Sequence, residues 1–219
     1  MGGNKSLNYY PVYLNLKNRR CVLVGGGSVG YRKAIKLIEA GADLTIISPE
    51  LTPELLIMAG AKKFIHINRP YQTGDLDGAF IVIAATSDAL LNSMVSKDAK
   101  CPINAVDMPE YCSFIVPSII QRGYLNIAVS TSGVSPALAR TLRMVIEEFI
   151  DRTYSDNLEK YLLFLKDYRD RVLSLNMIKE KRESILKFAG SIDALTIVGG
   201  LGVTAIKERL ERILVTIIE

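Results

Sequence analysis

A glycine-rich turn between a strand-like and a helix-like segment constrains the fold of this chain more than any other feature. The apolar run RRCVLV leads into Gly25, Gly27 and Gly30, which have the spacing G-x-G-x-x-G, and a segment with helical periodicity follows. This spacing is a weak signal alone, but between a strand and a helix it is typical of dinucleotide-binding sites. A structural turn that binds no ligand is the alternative interpretation.

Each glycine has its own physical role in such a site. Gly25 permits the tight turn, Gly27 allows the backbone to approach a pyrophosphate, and Gly30 allows the helix to pack closely on the strand. The first residues of the helix, Ser28 and Val29, have backbone N–H groups without intrahelical partners, and these can bind an anion. We therefore predict that these residues contact a dinucleotide cofactor.

The end of the second predicted strand indicates which dinucleotide is bound. An acidic residue usually follows the glycines by about 20 positions and binds the ribose 2′-OH. Here that region contains Ser48, Pro49 and Glu50. Glu50 has the right spacing, but Pro49 can turn it away, in which case Ser48 and backbone groups hold the ribose. No arginine occupies this strand end to bind a 2′-phosphate, so we predict NAD over NADP.

Strand-like and helix-like segments alternate along the first half of the chain. The segments DLTIISP, KFIHI, AFIVIAAT and PINAV are further predicted strands. This alternation predicts an α/β fold with a Rossmann-like open parallel sheet over residues 1–112. Two strands and a helix opened by Ser135 and Pro136 are predicted over 113–150, and a small all-helical C-terminal domain over 151–219. The cluster IVGGLGV is predicted to be a turn between helices.

Asp107 lies where the last strand of the predicted sheet ends. Ligands of open parallel sheets bind beyond the carboxyl ends of the strands, so Thr86 and Asn104 are further candidate cofactor ligands. A carboxylate at Asp107 can accept a proton while a hydride leaves for the cofactor. An aspartate that caps the following proline-containing turn is an equal alternative. The residue pattern alone does not decide between the two.

Composition excludes several classes of function. The 27 Lys+Arg against 23 Asp+Glu leave a net charge of +4, which suits an anionic small molecule and not a nucleic acid. The cysteines are widely spaced and the single histidine, His66, is predicted to be structural, so we predict no disulfide framework, no metal site and a cytoplasmic protein. The sequence contains no uninterrupted apolar run of about 18 residues, so we predict no membrane-spanning helix. No signal peptide is predicted at the start.

Four segments together resemble one enzyme family: GGGSVGYRKAIKLIEAGA, IAATSDALLN, NAVDMPEYCSFIVPSIIQRG and IAVSTSGVSPALARTLRMVIEE. They are similar to precorrin-2 dehydrogenase, the NAD-dependent enzyme of siroheme synthesis that also forms the N-terminal part of siroheme synthases. The resemblance implies oxidation of precorrin-2 to sirohydrochlorin, with Asp107 as the general base and NAD+ as the hydride acceptor. It also implies a homodimer built largely by residues 113–150, with the tetrapyrrole bound between the cofactor domain and the helical tail.

Some members of this family also insert Fe2+ into sirohydrochlorin, and the sequence leaves open whether this chain does. Precorrin-2 carries many carboxylates, and Ser113, Thr131 and Arg140 are candidate ligands for them, although turn capping and surface solvation are equal alternatives. Two other functions stay open, a non-catalytic NAD-binding sensor and a tetrapyrrole-handling scaffold with the same fold. The methyltransferase half of longer siroheme synthases is not expected after residue 150.

Overall fold

The computed structural model describes residues 9–218 of the chain. The start of the chain, on which the signal-peptide prediction depends, lies outside the described residues. The chain forms two compact units, Met1–Val116 and Pro117–Glu219. The division into residues 1–112, 113–150 and 151–219 stays a prediction.

The first unit is built on a sheet of five parallel strands in the order β3-β2-β1-β4-β5. The strands are β1 (Arg20–Val24), β2 (Asp43–Ile47), β3 (Ile65–Ile67), β4 (Ile81–Ala84) and β5 (Ile103–Ala105). The helices are α1 (Ser28–Glu39), α2 (Pro53–Gly60) and α3 (Ala89–Asp98), and a short 3-10 helix, Pro109–Tyr111, follows β5. The strand order reverses between β1 and β4, so the predicted Rossmann-like α/β fold is confirmed.

Helices cover both faces of this sheet, which explains why its central strands are almost continuously apolar. Alternate residues of β1 face opposite sides: Leu23 packs in one core cluster with Ala34 of α1, whereas Val22 packs in the other with Val95 of α3. Thr52 caps α2 as predicted, because its hydroxyl accepts the hydrogen bond from a backbone N–H of the first turn at 3.4 Å.

The second unit combines a β-hairpin with four helices. The antiparallel strands are β6 (Ser118–Arg122) and β7 (Leu125–Val129), and the helices are α4 (Pro136–Tyr154), α5 (Asn157–Ser174), α6 (Lys179–Ala189) and α7 (Ile192–Ile218). Ser135 caps α4 as predicted. Helix α7 breaks at Gly202, whose φ is +82°, so the predicted turn between helices is a single break near the end of the glycine cluster.

Two buried tyrosines tie the helices of the second unit together. Tyr161 and Tyr168 of α5 donate hydrogen bonds to the carbonyl oxygens of Ala189 and Leu210, at 2.7 and 3.0 Å. Their rings therefore pack in the helical core while their hydroxyl groups stay bonded. Over residues 9–218, no helix by itself has the length and apolar character needed to cross a membrane; α6 and α7, bent by 45°, satisfy that test only as a pair.

Candidate active site

The residues predicted for the cofactor site lie at one edge of the five-stranded sheet. The glycine loop directly follows β1, Thr86 lies two residues after β4, and Asp107 lies two residues after β5. These three strands are neighbours in the sheet and run parallel, so their carboxyl ends meet at the same edge. This edge includes the point between β1 and β4 at which the strand order reverses, which is where open α/β sheets bind ligands.

Packing requires glycine at three of the four glycine positions here but not at Gly27. A Cβ at Gly26 would lie 2.1 Å from the carbonyl oxygen of Glu50. Gly25 has a φ of +115°, and a Cβ there would lie 2.5 Å from the carbonyl oxygen of Ala85. A Cβ at Gly30 would lie 2.4 Å from the carbonyl oxygen of Gly25. A Cβ at Gly27, by contrast, would meet no atom of the described residues within 4 Å. The space above Gly27 is therefore open to a ligand.

The first turn of α1 offers unpaired donors beside this open space. Gly27 is the N-cap residue and brings no capping side chain, and the first turn contains no acidic residue that would repel an anion. The first intrahelical bond runs from the N–H of Tyr31 to the carbonyl oxygen of Gly27, at 2.9 Å. The backbone N–H groups of Ser28, Val29 and Gly30 are therefore available for an anion, and they fit the pyrophosphate of a dinucleotide.

The turn after β2 is held by Ser48. This residue is buried, and its hydroxyl donates a hydrogen bond to the carbonyl oxygen of Glu50 at 2.7 Å. The carbonyl oxygen of Ser48 lies 2.9 Å from Nε2 of His66, in agreement with the structural role predicted for this histidine. Pro49 and Glu50 are exposed. Ser48 thus shapes the turn, and a contact of the exposed Glu50 carboxylate with a ribose stays a prediction.

Thr86 and Asn104 also bind groups of the protein itself. The Thr86 hydroxyl donates to Oδ1 of Asn92 at 2.8 Å and accepts from the backbone N–H of Asp88 at 3.2 Å. The buried Asn104 amide donates to the carbonyl oxygen of Phe114 at 3.1 Å. Both side chains shape loops at the sheet edge, and their contacts with a cofactor stay predictions.

Asp107 has an exposed side chain on a left-handed backbone. Its φ is +60°, a conformation that aspartate tolerates better than most residues. The 3-10 helix that follows has no capping side chain, and within residues 9–218 no hydrogen bond to the Asp107 carboxylate is found. The capping alternative therefore has no support in the geometry. The carboxylate is exposed at the end of β5 and can exchange protons with a ligand or with solvent.

Lys33 is a residue of this edge that the sequence analysis missed. It lies on α1 and is half-buried. Burial lowers the pKa of its ammonium group, and the charge of Arg32 lowers it further, whereas the negative charge of Asp107 acts in the opposite direction. The Lys33 ammonium group is thus within electrostatic range of the Asp107 carboxylate. Helical spacing could have found it, because Lys33 follows Gly30 by one turn of α1.

The three cysteines are buried or half-buried thiols whose thiolate form is disfavoured. Burial raises the pKa of Cys21 to about 11, and it also raises the pKa of Cys101 and of Cys112. All three are free. Across the described part of the chain, no three His, Cys, Asp or Glu side chains are arranged to hold a metal ion.

The hydroxyl groups predicted to bind substrate carboxylates have bonds within their own loops. Ser113, in the first unit, accepts a hydrogen bond from the backbone N–H of Ile103 at 2.8 Å. Thr131, in the second unit, accepts one from the backbone N–H of Ser135 at 3.0 Å. Both arrangements match the turn-capping alternative, so substrate contacts of these hydroxyl groups stay predictions.

The arginines of the second unit differ in their partners. Arg122 donates to both carboxylate oxygens of Asp151, at 2.9 and 2.7 Å, and also pairs with Glu147, as does Arg143. These bonds raise the pKa of Arg122, chiefly through Asp151. Arg140 is exposed on α4 and has no comparable ion pair among the residues that the structure describes. The Arg140 guanidinium group is therefore available to an external carboxylate.

Comparison with known proteins agrees with the first unit's geometry. Residues 12–118 match a family model described as NAD(P)-binding. The predicted nicotinamide dinucleotide cofactor is thus confirmed at the level of an NAD(P)-binding domain, and the glycine loop lies inside the matched range.

Several curated relatives share a name. The siroheme synthase of Methylobacillus flagellatus is 42% identical over 165 residues, which are 74% of this chain and 34% of the relative. Those of Thioalkalivibrio sulfidiphilus and Azotobacter vinelandii are 45% and 44% identical, each over 68% of this chain and 31% and 32% of the relative. The chain therefore spans about a third of the length of these relatives.

A solved structure covers nearly the whole chain. SirC, named precorrin-2 dehydrogenase, matches with a TM-score of 0.76 and 24% identity, over 93% of this chain and 100% of that chain. At this level of identity the match shows a shared fold.

Proposed function

We propose that this chain, a homologue of siroheme synthases, oxidises precorrin-2 to sirohydrochlorin with NAD+ as the hydride acceptor. The observation that carries the proposal is the exposed Asp107 carboxylate at the carboxyl end of β5, on the same sheet edge as the glycine loop. The names of the relatives, siroheme synthase and precorrin-2 dehydrogenase, support this choice of substrate.

The reaction removes one hydride and one proton from precorrin-2. NAD+, when bound at the glycine loop, supplies the acceptor for the hydride. The backbone N–H groups of Ser28, Val29 and Gly30 bind its pyrophosphate, and the open space at Gly27 admits it. Asp107 accepts the proton and, because its carboxylate is exposed, passes it to water. The products are sirohydrochlorin, NADH and one proton.

Glu50 and Arg140 are the further proposed ligands, Glu50 for the cofactor's ribose and Arg140 for a carboxylate of the substrate. The exposed Glu50 is the group for the ribose 2′-OH, and the absence of arginine at this strand end favours NAD over NADP. A net charge of +4 suits a polyanionic tetrapyrrole, and Arg140 is an available anchor for one of its carboxylates. Free cysteines support a cytoplasmic location.

A homodimer is part of the same proposal, and helix α4 supports it. Four exposed apolar residues recur at helical spacing on α4: Leu138 (50% exposed), Leu142 (42%), Val145 (58%) and Phe149 (52%). Such a continuous apolar stripe on a helix is typical of an interaction surface. A second copy of the chain would cover the stripe in a symmetric pair.

We expect Val145→Glu to convert the dimer to a monomer, because a carboxylate at the centre of the apolar stripe would lose its hydration on association. Light scattering after size-exclusion chromatography measures the mass. Met144→Glu is the matched control, since Met144 is equally exposed on α4 but lies outside the stripe. A parent protein that is monomeric at micromolar concentration would contradict the dimer.

The direct test of the proposed reaction uses the full chain with precorrin-2 and NAD+. We expect the absorption band of sirohydrochlorin and that of NADH to rise together in equal amounts. A sensor would bind NAD+ without turnover, and a scaffold would bind the tetrapyrrole without forming NADH. Adding Fe2+ to the completed reaction tests whether the chain also inserts the metal ion.

A further inference from the structure

We infer that Cys112 is a positioning residue, whose thiol closes the loop that carries Asp107 and holds the carboxylate at the end of β5. The inference rests on the proposed function, because it takes Asp107 as the proton acceptor. Cys112 lies five residues after Asp107 and is half-buried, next to the short 3-10 helix.

The contacts of Cys112 replace a missing neighbouring strand. β5 is an edge strand, so the backbone groups of Ile103 and Ala105 that point away from β4 need other partners. Ile103 exchanges hydrogen bonds with Ser113, whose N–H donates to the Ile103 carbonyl oxygen at 2.9 Å. Ala105 exchanges them with the thiol: its N–H donates to Sγ at 3.2 Å, and the S–H donates to its carbonyl oxygen at 3.1 Å.

These bonds enclose the loop of residues 106–111. The carbonyl oxygen of Met108 lies 3.3 Å from Sγ, as a second acceptor for the thiol. The thiol therefore bonds to the backbone two residues before Asp107 and one residue after it. Because the left-handed turn at Asp107 is intrinsically unfavourable, it depends on such fixed points on either side.

The protonation state of Cys112 suits this role. Burial raises the pKa of the thiol, so at neutral pH it is an S–H group that can donate and accept at once. Valine has nearly the shape of cysteine but neither donates nor accepts. Serine keeps both capacities. Comparing the two substitutions therefore separates the effect of the thiol's hydrogen bonds from the effect of its side-chain volume.

The experiment compares Cys112→Val and Cys112→Ser with the parent chain. Cys101→Val is the matched control, because Cys101 is also a half-buried thiol but has no hydrogen bond to the loop among the described residues. We expect Cys112→Val to lower kcat for precorrin-2 oxidation at least about tenfold while the Kd for NAD+ changes less than about twofold. Cys112→Ser and Cys101→Val should keep kcat within about threefold. Undiminished kcat in Cys112→Val would overturn the inference, as would a parallel loss of NAD+ binding.

Amide hydrogen exchange on the parent chain tests the hydrogen bonds of the Cys112 thiol without any variant and without turnover. If the thiol accepts from Ala105, the Ala105 amide should exchange as slowly as the amides shared between β4 and β5. Exchange as fast as in exposed loops would overturn the inference, even if Cys112→Val failed to fold. A slow Ala105 amide in a parent chain that does not oxidise precorrin-2 would refute the proposed function and leave the thiol hydrogen bonds standing.

Discussion

Asp107→Asn should lower kcat for precorrin-2 oxidation by about 10²–10⁴-fold, the usual contribution of a positioned general base. Asparagine has the same shape and tolerates a left-handed backbone equally well, so the turn at a φ of +60° should persist. Only the proton acceptor is lost. Steady-state kinetics with precorrin-2, together with calorimetric NAD+ binding, measure the effect.

Glu110→Gln is the control for Asp107→Asn. Glu110 is an exposed carboxylate in the adjacent 3-10 helix, so its neutralisation changes the local charge equally without touching the proposed base. We expect this variant to keep the parent kcat. Equal activity of Asp107→Asn and the parent, with both folded and binding NAD+, would reject Asp107 as the base.

Gly27→Ala should weaken NAD+ binding at least about tenfold, or ~1.4 kcal/mol, without destabilising the fold. Its backbone angles, φ −78° and ψ −174°, are accessible to any residue, and an added Cβ would meet no described atom within 4 Å. The protein therefore tolerates the methyl group, but a pyrophosphate approaching the backbone of α1 would not. Titration calorimetry gives the Kd, and thermal unfolding gives the stability.

Gly60→Ala provides the matched comparison for Gly27→Ala. A Cβ at Gly60, the last residue of α2, also meets nothing within 4 Å among the described residues, but Gly60 lies away from the loop that follows β1. We expect parent-like NAD+ binding for this variant. If Gly27→Ala also bound NAD+ like the parent, the dinucleotide would not lie against this loop.

The sequence predicted those features that depend on neighbouring residues. The strand, glycine turn and helix around Gly25–Gly30 follow from local backbone preferences, and so do the caps at Thr52 and Ser135. The alternation of apolar strands with helices was enough to predict the parallel sheet, because strands covered on both faces must be apolar throughout. Asp107 could be located at a strand end in the same way.

The roles of the polar side chains were decided only by the tertiary structure. Whether Asp107 caps a turn or exposes its carboxylate depends on which hydrogen-bond donors surround it. Likewise, Ser48 and Thr86 are seen to shape loops only because the structure shows their hydrogen-bond partners. Lys33 and Asp107 come from a helix and a strand end far apart in the sequence, and the sheet brings them together. Local patterns specify backbone conformation, whereas hydrogen bonds and charges depend on distances that exist only after folding.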